Sequence, residues 1–125
     1  MPQDKKGLGR TGERLALERL QQEGLRLRQT NYRCPVGEID LIMEDGDSLV
    51  FIEVKTRRGR RFGLPEEAVT PSKSKKLIEV AQTYLQSQET AADSWRIDVV
   101  SVEMDETGKL ERIEHIVNAV LGNSI

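Results

Sequence analysis

Cysteine, histidine and aromatic residues are scarce in this chain of 125 residues. The single cysteine, Cys34, excludes an internal disulfide and fits a reducing compartment. It reads as a small, half-buried residue in the loop before a hairpin rather than as a nucleophile. The single histidine, His115, has no second histidine or cysteine with which to build a zinc site. Aromatic residues make up 4% of the chain and charged residues 32%, a balance that fits a soluble cytosolic domain and not a disordered segment. No apolar stretch approaches the ~18 residues needed to span a membrane. The start, Met1 to Lys6, lacks the hydrophobic region of a signal peptide. These absences predict a cytoplasmic protein with no membrane role. Residues 1–125 are enough for a single domain with its own core.

What the chain does have is charge placed where burial is wanted. Glu38-Ile39-Asp40 and Glu53-Val54-Lys55 lie on two apolar runs, 40–43 and 49–54, joined by Asp45-Gly46-Asp47. An Asp-Gly two-residue turn predicts a hairpin with Glu44 opposite Asp47, Leu41 opposite Val50 and Asp40 opposite Phe51. Alternation then puts Glu38, Asp40, Ile42, Leu49, Phe51, Glu53 and Lys55 on one face. Ile39, Leu41, Met43, Val50, Ile52 and Val54 form the other, which is apolar throughout. In that register Asp40 and Glu53 are diagonal neighbours at the open end of the hairpin, roughly 7–8 Å apart at Cβ.

Buried carboxylates are costly unless something pairs with them. Two of them offer the hard oxygen ligands that Mg²⁺ accepts, leaving positions for water and phosphate. A lysine two residues beyond Glu53 would orient a nucleophile or stabilise charge in a transition state. On spacing alone, Glu53 and Lys55 read equally well as a surface ion pair. The matched register and a third acid favour the metal reading. That acid is Glu13, which shares one face of a helix from Gly9 to about Glu23 with Ala16, Leu17 and Leu20. Taken alone, it is an ordinary acid near a helix N-terminus.

The net charge of −2 hides an asymmetry. Residues 1–76 hold 16 Lys+Arg against 12 Asp+Glu, and residues 77–125 hold 3 against 9. The basic run starts at Lys55 and continues through Arg57, Arg58, Arg60, Arg61, Lys73, Lys75 and Lys76. A basic rim beside metal-binding acids is suited to a phosphate backbone. Thr70-Pro71 predicts a helix N-cap, with Leu77, Ile78, Ala81, Tyr84 and Leu85 as its buried stripe to about Gln86. Lys73, Lys75 and Lys76 then oppose the helix dipole, which a bound phosphate would reverse.

The remainder reads as scaffold. Leu25 to about Arg33 is a first strand, and Trp95 to Val102 a buried strand reached through the second helix and parallel to the Glu53 strand. Leu110 to Ile116 is a last edge strand, and Asn118 to Leu121 a final helical turn. Asp98 reads as a hydrogen-bonded structural aspartate. Gly7-Leu-Gly9-Arg-Thr-Gly12 matches the dinucleotide fingerprint, but no buried strand precedes it, so these glycines read as a flexible entry to the first helix.

An N-terminal helix with a glutamate, a strand ending in an aspartate and a following Glu-x-Lys resemble the restriction-endonuclease-like, or PD-(D/E)xK, nucleases, with archaeal-type Holliday junction resolvases the most similar. More finely, Gly9-x-x-Gly12-Glu13, Asn31-Tyr-Arg33, Gly37-Glu-Ile-Asp-Leu41 and Phe51-Ile-Glu-Val-Lys-Thr-Arg57 resemble the YraN-type bacterial family. So do Glu67-Ala68-Val69, Lys73, Tyr84-Leu85 and Ile113-Glu-His-Ile116. No proline precedes Asp40, and the Gln-x-x-x-Tyr signature of exonuclease-type relatives is missing.

The resemblance implies an α/β fold with an αβββαβ core, a mixed β-sheet flanked by helices. It implies a metal-dependent endonuclease hydrolysing phosphodiester bonds, selective for DNA structure rather than sequence. Asp40 and Glu53 would hold Mg²⁺ or Mn²⁺, the Val54 carbonyl and Glu13 would assist, and Lys55 would serve catalysis. Arg57, Arg58, Arg60, Arg61, Lys73 and Lys76 would grip nucleic acid. Resolvase-like relatives imply a homodimer. A module that keeps the fold and binds nucleic acid without cutting it is the competing reading.

Overall fold

The computed structural model describes residues 5–59, 70–88 and 94–120. They form helix α1 (Lys5–Gln22), strands β1 (Arg26–Cys34), β2 (Gly37–Asp45) and β3 (Ser48–Arg58), helix α2 (Pro71–Ser87), and strands β4 (Ser94–Met104) and β5 (Leu110–Ile116). The order is the expected αβββαβ followed by the expected edge strand. The five strands lie side by side in chain order. β3 and β4 are parallel, from Ser48 beside Ser94 to Arg58 beside Met104, and every other neighbouring pair is antiparallel. A parallel neighbour needs a crossover, and α2 lies in it.

Each helix covers one face. Ala16 and Leu20 of α1 pack with Leu41, Met43, Val50, Ile52, Val100 and Val102. Leu77, Val80, Ala81 and Tyr84 of α2 pack with Ile39, Ile42, Phe51 and Ile97. Thr70 caps α2 as predicted, its hydroxyl accepting from the Lys73 N–H at 3.2 Å. Arg28 ties β1 to α2, donating to the Tyr84 hydroxyl at 2.6 Å and to Gln88 at 3.0 Å.

Four sequence expectations are corrected. The β2–β3 turn is centred on Gly46-Asp47, with Asp45 paired to Ser48, Met43 to Val50 and Leu41 to Ile52. The register is therefore two residues away from the predicted one. A shift of two preserves the facing of the strands, because side chains alternate with period two. It sets Asp40 level with Glu53 instead of diagonal to it. Gly46, at φ +60°, takes the first central place of the turn instead of the expected second.

Gly7, Gly9 and Gly12 lie inside α1 and are not a flexible lead-in. A Cβ at Gly12 would stand 1.8 Å from the Thr56 hydroxyl, so only glycine lets the helix backbone rest on β3 there. Cys34 ends β1 and does not lie in a loop. Asn118 lies in a turn and Ala119 and Val120 are not helical, Leu121 lying outside the described residues, and Asn118 donates its N–H to Asp98 at 2.7 Å.

Candidate functional site

At the open end of the β2–β3 hairpin the ladder gives way to a side chain. Beyond the Leu41–Ile52 pair, the Val54 N–H donates to the Asp40 carboxylate at 2.8 Å. Asp40 thereby takes over one of β3's main-chain donors where the two strands part. Glu53 precedes Val54, and the Lys55 ammonium lies 3.6 Å from the Glu53 carboxylate, both side chains largely buried.

Asp40 does not keep the face shared by Ile42 and Phe51 that strict alternation predicts. Ile39 also departs from prediction, packing under α2 while Leu41 packs under α1. Alternation thus breaks at Asp40, whose side chain lines a cleft with Gly9, Arg10, Glu13, Asn31, Arg33 and Glu38. The cleft continues along α1 past Val54, Lys55, Thr56 and Arg57. Gly9 and Glu13 border both stretches, so the helix forms one wall of the groove. Close docking at Gly12 brings Glu13 there.

The acids repel one another. Burial, then the charge of Glu53, pushes the Asp40 carboxyl up to about 6, even though the Val54 N–H and Lys55 favour its ionised form. Burial raises Glu53 as well, with Lys55 opposing and Glu38 adding to the shift. Glu13 is raised by burial and by Asp40 and Glu38. Lys55 offsets part of this charge, but burial and repulsion together still leave the Asp40 and Glu53 carboxyls raised.

Hard, electron-rich oxygens with raised proton affinity fit a divalent cation. Among the described residues, no three acids, histidines or cysteines are gathered closely enough to hold one unaided. The residues that could contribute to holding one are the Asp40–Glu53 pair, with Glu13 on the same cleft and not completing a three-ligand group. Glu38 is exposed and engaged with Arg33 at 3.0 Å.

The predicted basic residues divide. Lys55 and Arg57 border the groove. Arg58 borders it too, but its guanidinium donates to the Glu106 carbonyl at 2.8 and 3.1 Å, fastening β3 to the β4–β5 turn. Lys73 and Lys76 lie in the opening turns of α2, and the Lys76 stem lies over Gly37, beside Glu38. Arg60 and Arg61 lie outside the described residues. Sequence reasoning did not single out Arg10 and Arg33 as cleft residues, or assign a part to Asn31. Their signal was proximity along the chain to Gly9, Glu13 and the Asn31-Tyr-Arg33 motif.

Asp98 is structural, as predicted. It is fully buried, accepts from Arg96 and from the Asn118 N–H, and pairs with His115 at 2.8 Å. The other His115 ring nitrogen meets Glu23 at 2.7 Å.

The chain matches the family described as "Uncharacterised protein family UPF0102" over residues 12–102, a span that includes all of β1 to α2 and most of α1 and β4. It is 40% identical over 119 residues to a UPF0102 protein of Pelotomaculum thermopropionicum, covering 95% of this chain and 99% of that one. It is 43% identical over 120 residues to one from Dehalococcoides mccartyi, covering 96% and 98% of the two chains. It is 46% identical over 112 residues to one from Syntrophomonas wolfei, covering 90% and 96%. With α1's Glu13, the Asp40 strand and the Glu53-x-Lys55 strand all inside the matched span, this protein belongs to the UPF0102 family.

Proposed function

We propose that this protein is a metal-dependent nuclease of the restriction-endonuclease-like type, cutting phosphodiester bonds in DNA and selecting its substrate by structure. The observation that carries this reading is the Asp40 carboxylate held by the Val54 N–H beside Glu53, with Lys55 3.6 Å from that glutamate. Asp40 and Glu53 would hold Mg²⁺ or Mn²⁺, with the Val54 carbonyl as a further ligand and Glu13 acting through water. The ion, when bound, supplies Lewis-acid neutralisation of phosphodiester charge and a nucleophilic hydroxide near neutral pH.

The chain's own groups do the rest. The Val54 N–H fixes one Asp40 oxygen, so the carboxylate has a single orientation toward the cleft. Lys55 stands ready to orient the attacking water or to offset charge as the phosphorus centre becomes more negative. Arg57, Arg10 and Arg33 along the groove, with Lys73 and Lys76 at the start of α2, would hold the flanking phosphates. Arg58, Arg60 and Arg61 would extend that rim. Contacts of this kind read shape and charge rather than bases, which favours branched or flapped DNA. A resolvase-like enzyme of this kind would work in the cytoplasm as a homodimer.

The test is cleavage of branched, flapped and linear DNA with Mg²⁺ or Mn²⁺, comparing the wild type with D40A and E53A. Loss of cleavage by about 100-fold or more in both variants, with DNA binding retained and still salt-sensitive, supports the enzyme. Wild-type binding without cleavage, unmoved by either substitution, would instead support a non-catalytic binding module.

A further inference from the structure

Among the described residues, two that are not glycine have positive φ: Asn31 at 50° and Asn118 at 55°. Asn118 sits in a turn, with its N–H anchored on Asp98. Asn31 lies in the interior of the nine-residue strand β1. The left-handed region is costly for a non-glycine residue, so it persists only where the surroundings impose it. Asparagine bears that cost better than most residues, and a β-branched side chain bears it worst.

The place of this residue is specific. Thr30 pairs with Leu41 and Tyr32 with Ile39, which sets Asn31 opposite Asp40. No residue is inserted on either strand there; the pleat itself reverses. On the near side of this point Leu41 packs under α1, and on the far side Ile39 and its partner Tyr32 pack under α2. Asp40 sits on the reversal and faces neither core. It lines the cleft with Glu13 and accepts from the Val54 N–H. A regular pleat would put Asp40 on the face of Ile42 and Phe51, under α2.

We propose that Asn31 is the positioning residue of the acidic centre: its left-handed backbone reverses the β1–β2 pleat and so aims the Asp40 carboxylate at Val54 and the cleft. The inference deepens the nuclease reading, because it names the residue that orients one of its two metal-binding acids. It also has a consequence independent of any metal or substrate. The Val54 N–H stays bonded only while Asp40 is aimed at it.

Hydrogen exchange of the Val54 amide reads that bond in the metal-free protein, with D40A as the calibrating loss. N31V, whose β-branched side chain resists positive φ, should speed Val54 exchange at least tenfold, toward the D40A rate. N31A should act in the same direction, and it carries the test if N31V does not fold. N31G tolerates positive φ and should stay within threefold of the wild type, although it has lost the carboxamide. Phe51 and Ile52 amides should be unchanged in all three. Calorimetric Mn²⁺ affinity should fall at least tenfold in N31V and stay near the wild type in N31G.

Val54 protection that survives in N31V and N31A overturns the inference. A loss in N31G as large as in N31V does too, because the side chain would then be acting instead of the backbone. A wild type that neither binds Mn²⁺ nor cuts DNA, while Val54 exchange still follows position 31, sinks the nuclease reading and leaves this one standing.

Discussion

Two groups of acids are built into the same sheet, and they are electrical opposites. Around Asp98 the charges are answered. Arg96 lies 3.1 Å from its carboxylate, His115 bridges it to Glu23 at the end of α1, and the Asn118 N–H completes the set. The hydrogen bond to Asp98, helped by Glu23, outweighs burial and holds the His115 ring above its ordinary pKa. Around Asp40 the charges are answered only in part: despite Lys55 and the Val54 N–H, burial and neighbouring acids raise Asp40, Glu53 and Glu13. The first group is built to hold elements together. The second carries a standing cost that a bound cation would relieve, as expected where function and stability compete.

Breaking the satisfied group should have the largest effect on stability. D98A removes a fully buried carboxylate and strands Arg96, His115 and the Asn118 N–H, which should cost about 3–5 kcal/mol in urea unfolding. Acting on the other group should have the reverse sign. With the folded-state pKa of Asp40 raised to about 6, its acid form is favoured in the fold. Its contribution to stability is therefore full below about pH 4 and lost as pH rises through about 6. In metal-free buffer near pH 8, D40N should be more stable than the wild type by about 1–3 kcal/mol, with the gain vanishing near pH 4.

His115 gives a smaller effect with the same slope. Its folded-state pKa is raised, so its stabilisation is full below about 6.5 and falls as pH rises past its folded value. Melting temperature should then decline with rising pH, less steeply at the lower end in D40N and at the upper end in H115Q. The smallest effect belongs to charges outside both groups: R14A, which breaks an exposed pair with Glu18, should cost no more than about 0.5 kcal/mol.

The fold was legible where periodicity and end signals agreed. Thr70-Pro71 marked the start of α2, and the apolar run at 95–102 gave β4 and its parallel partner. The identity of the candidate residues was legible because charge inside an apolar strand is conspicuous. Their geometry was less so. Asp45-Gly46 and Gly46-Asp47 are both acceptable turn centres, and the choice between them moved the register by two residues. Local preference could not decide it, since both registers bury the same faces. The pleat reversal at Asn31 and Asp40 was hidden for another reason: one residue's φ leaves no mark on hydrophobic alternation until the pattern has already changed. The glycines of α1 were misread because a close approach between Gly12 and Thr56 is a tertiary fact.

The parallel pairing of β3 with β4 also governs how the molecule comes into being. α1, β1, β2 and β3, with every acid of the proposed centre, are complete by Arg58. The partner that covers the second edge of β3 begins only at Ser94. During synthesis the groove can therefore form while an apolar strand still offers an open row of main-chain donors and acceptors. Nascent chains stalled between these points should be the species most prone to sticking together, and closure of this long-range pair the slowest event of maturation.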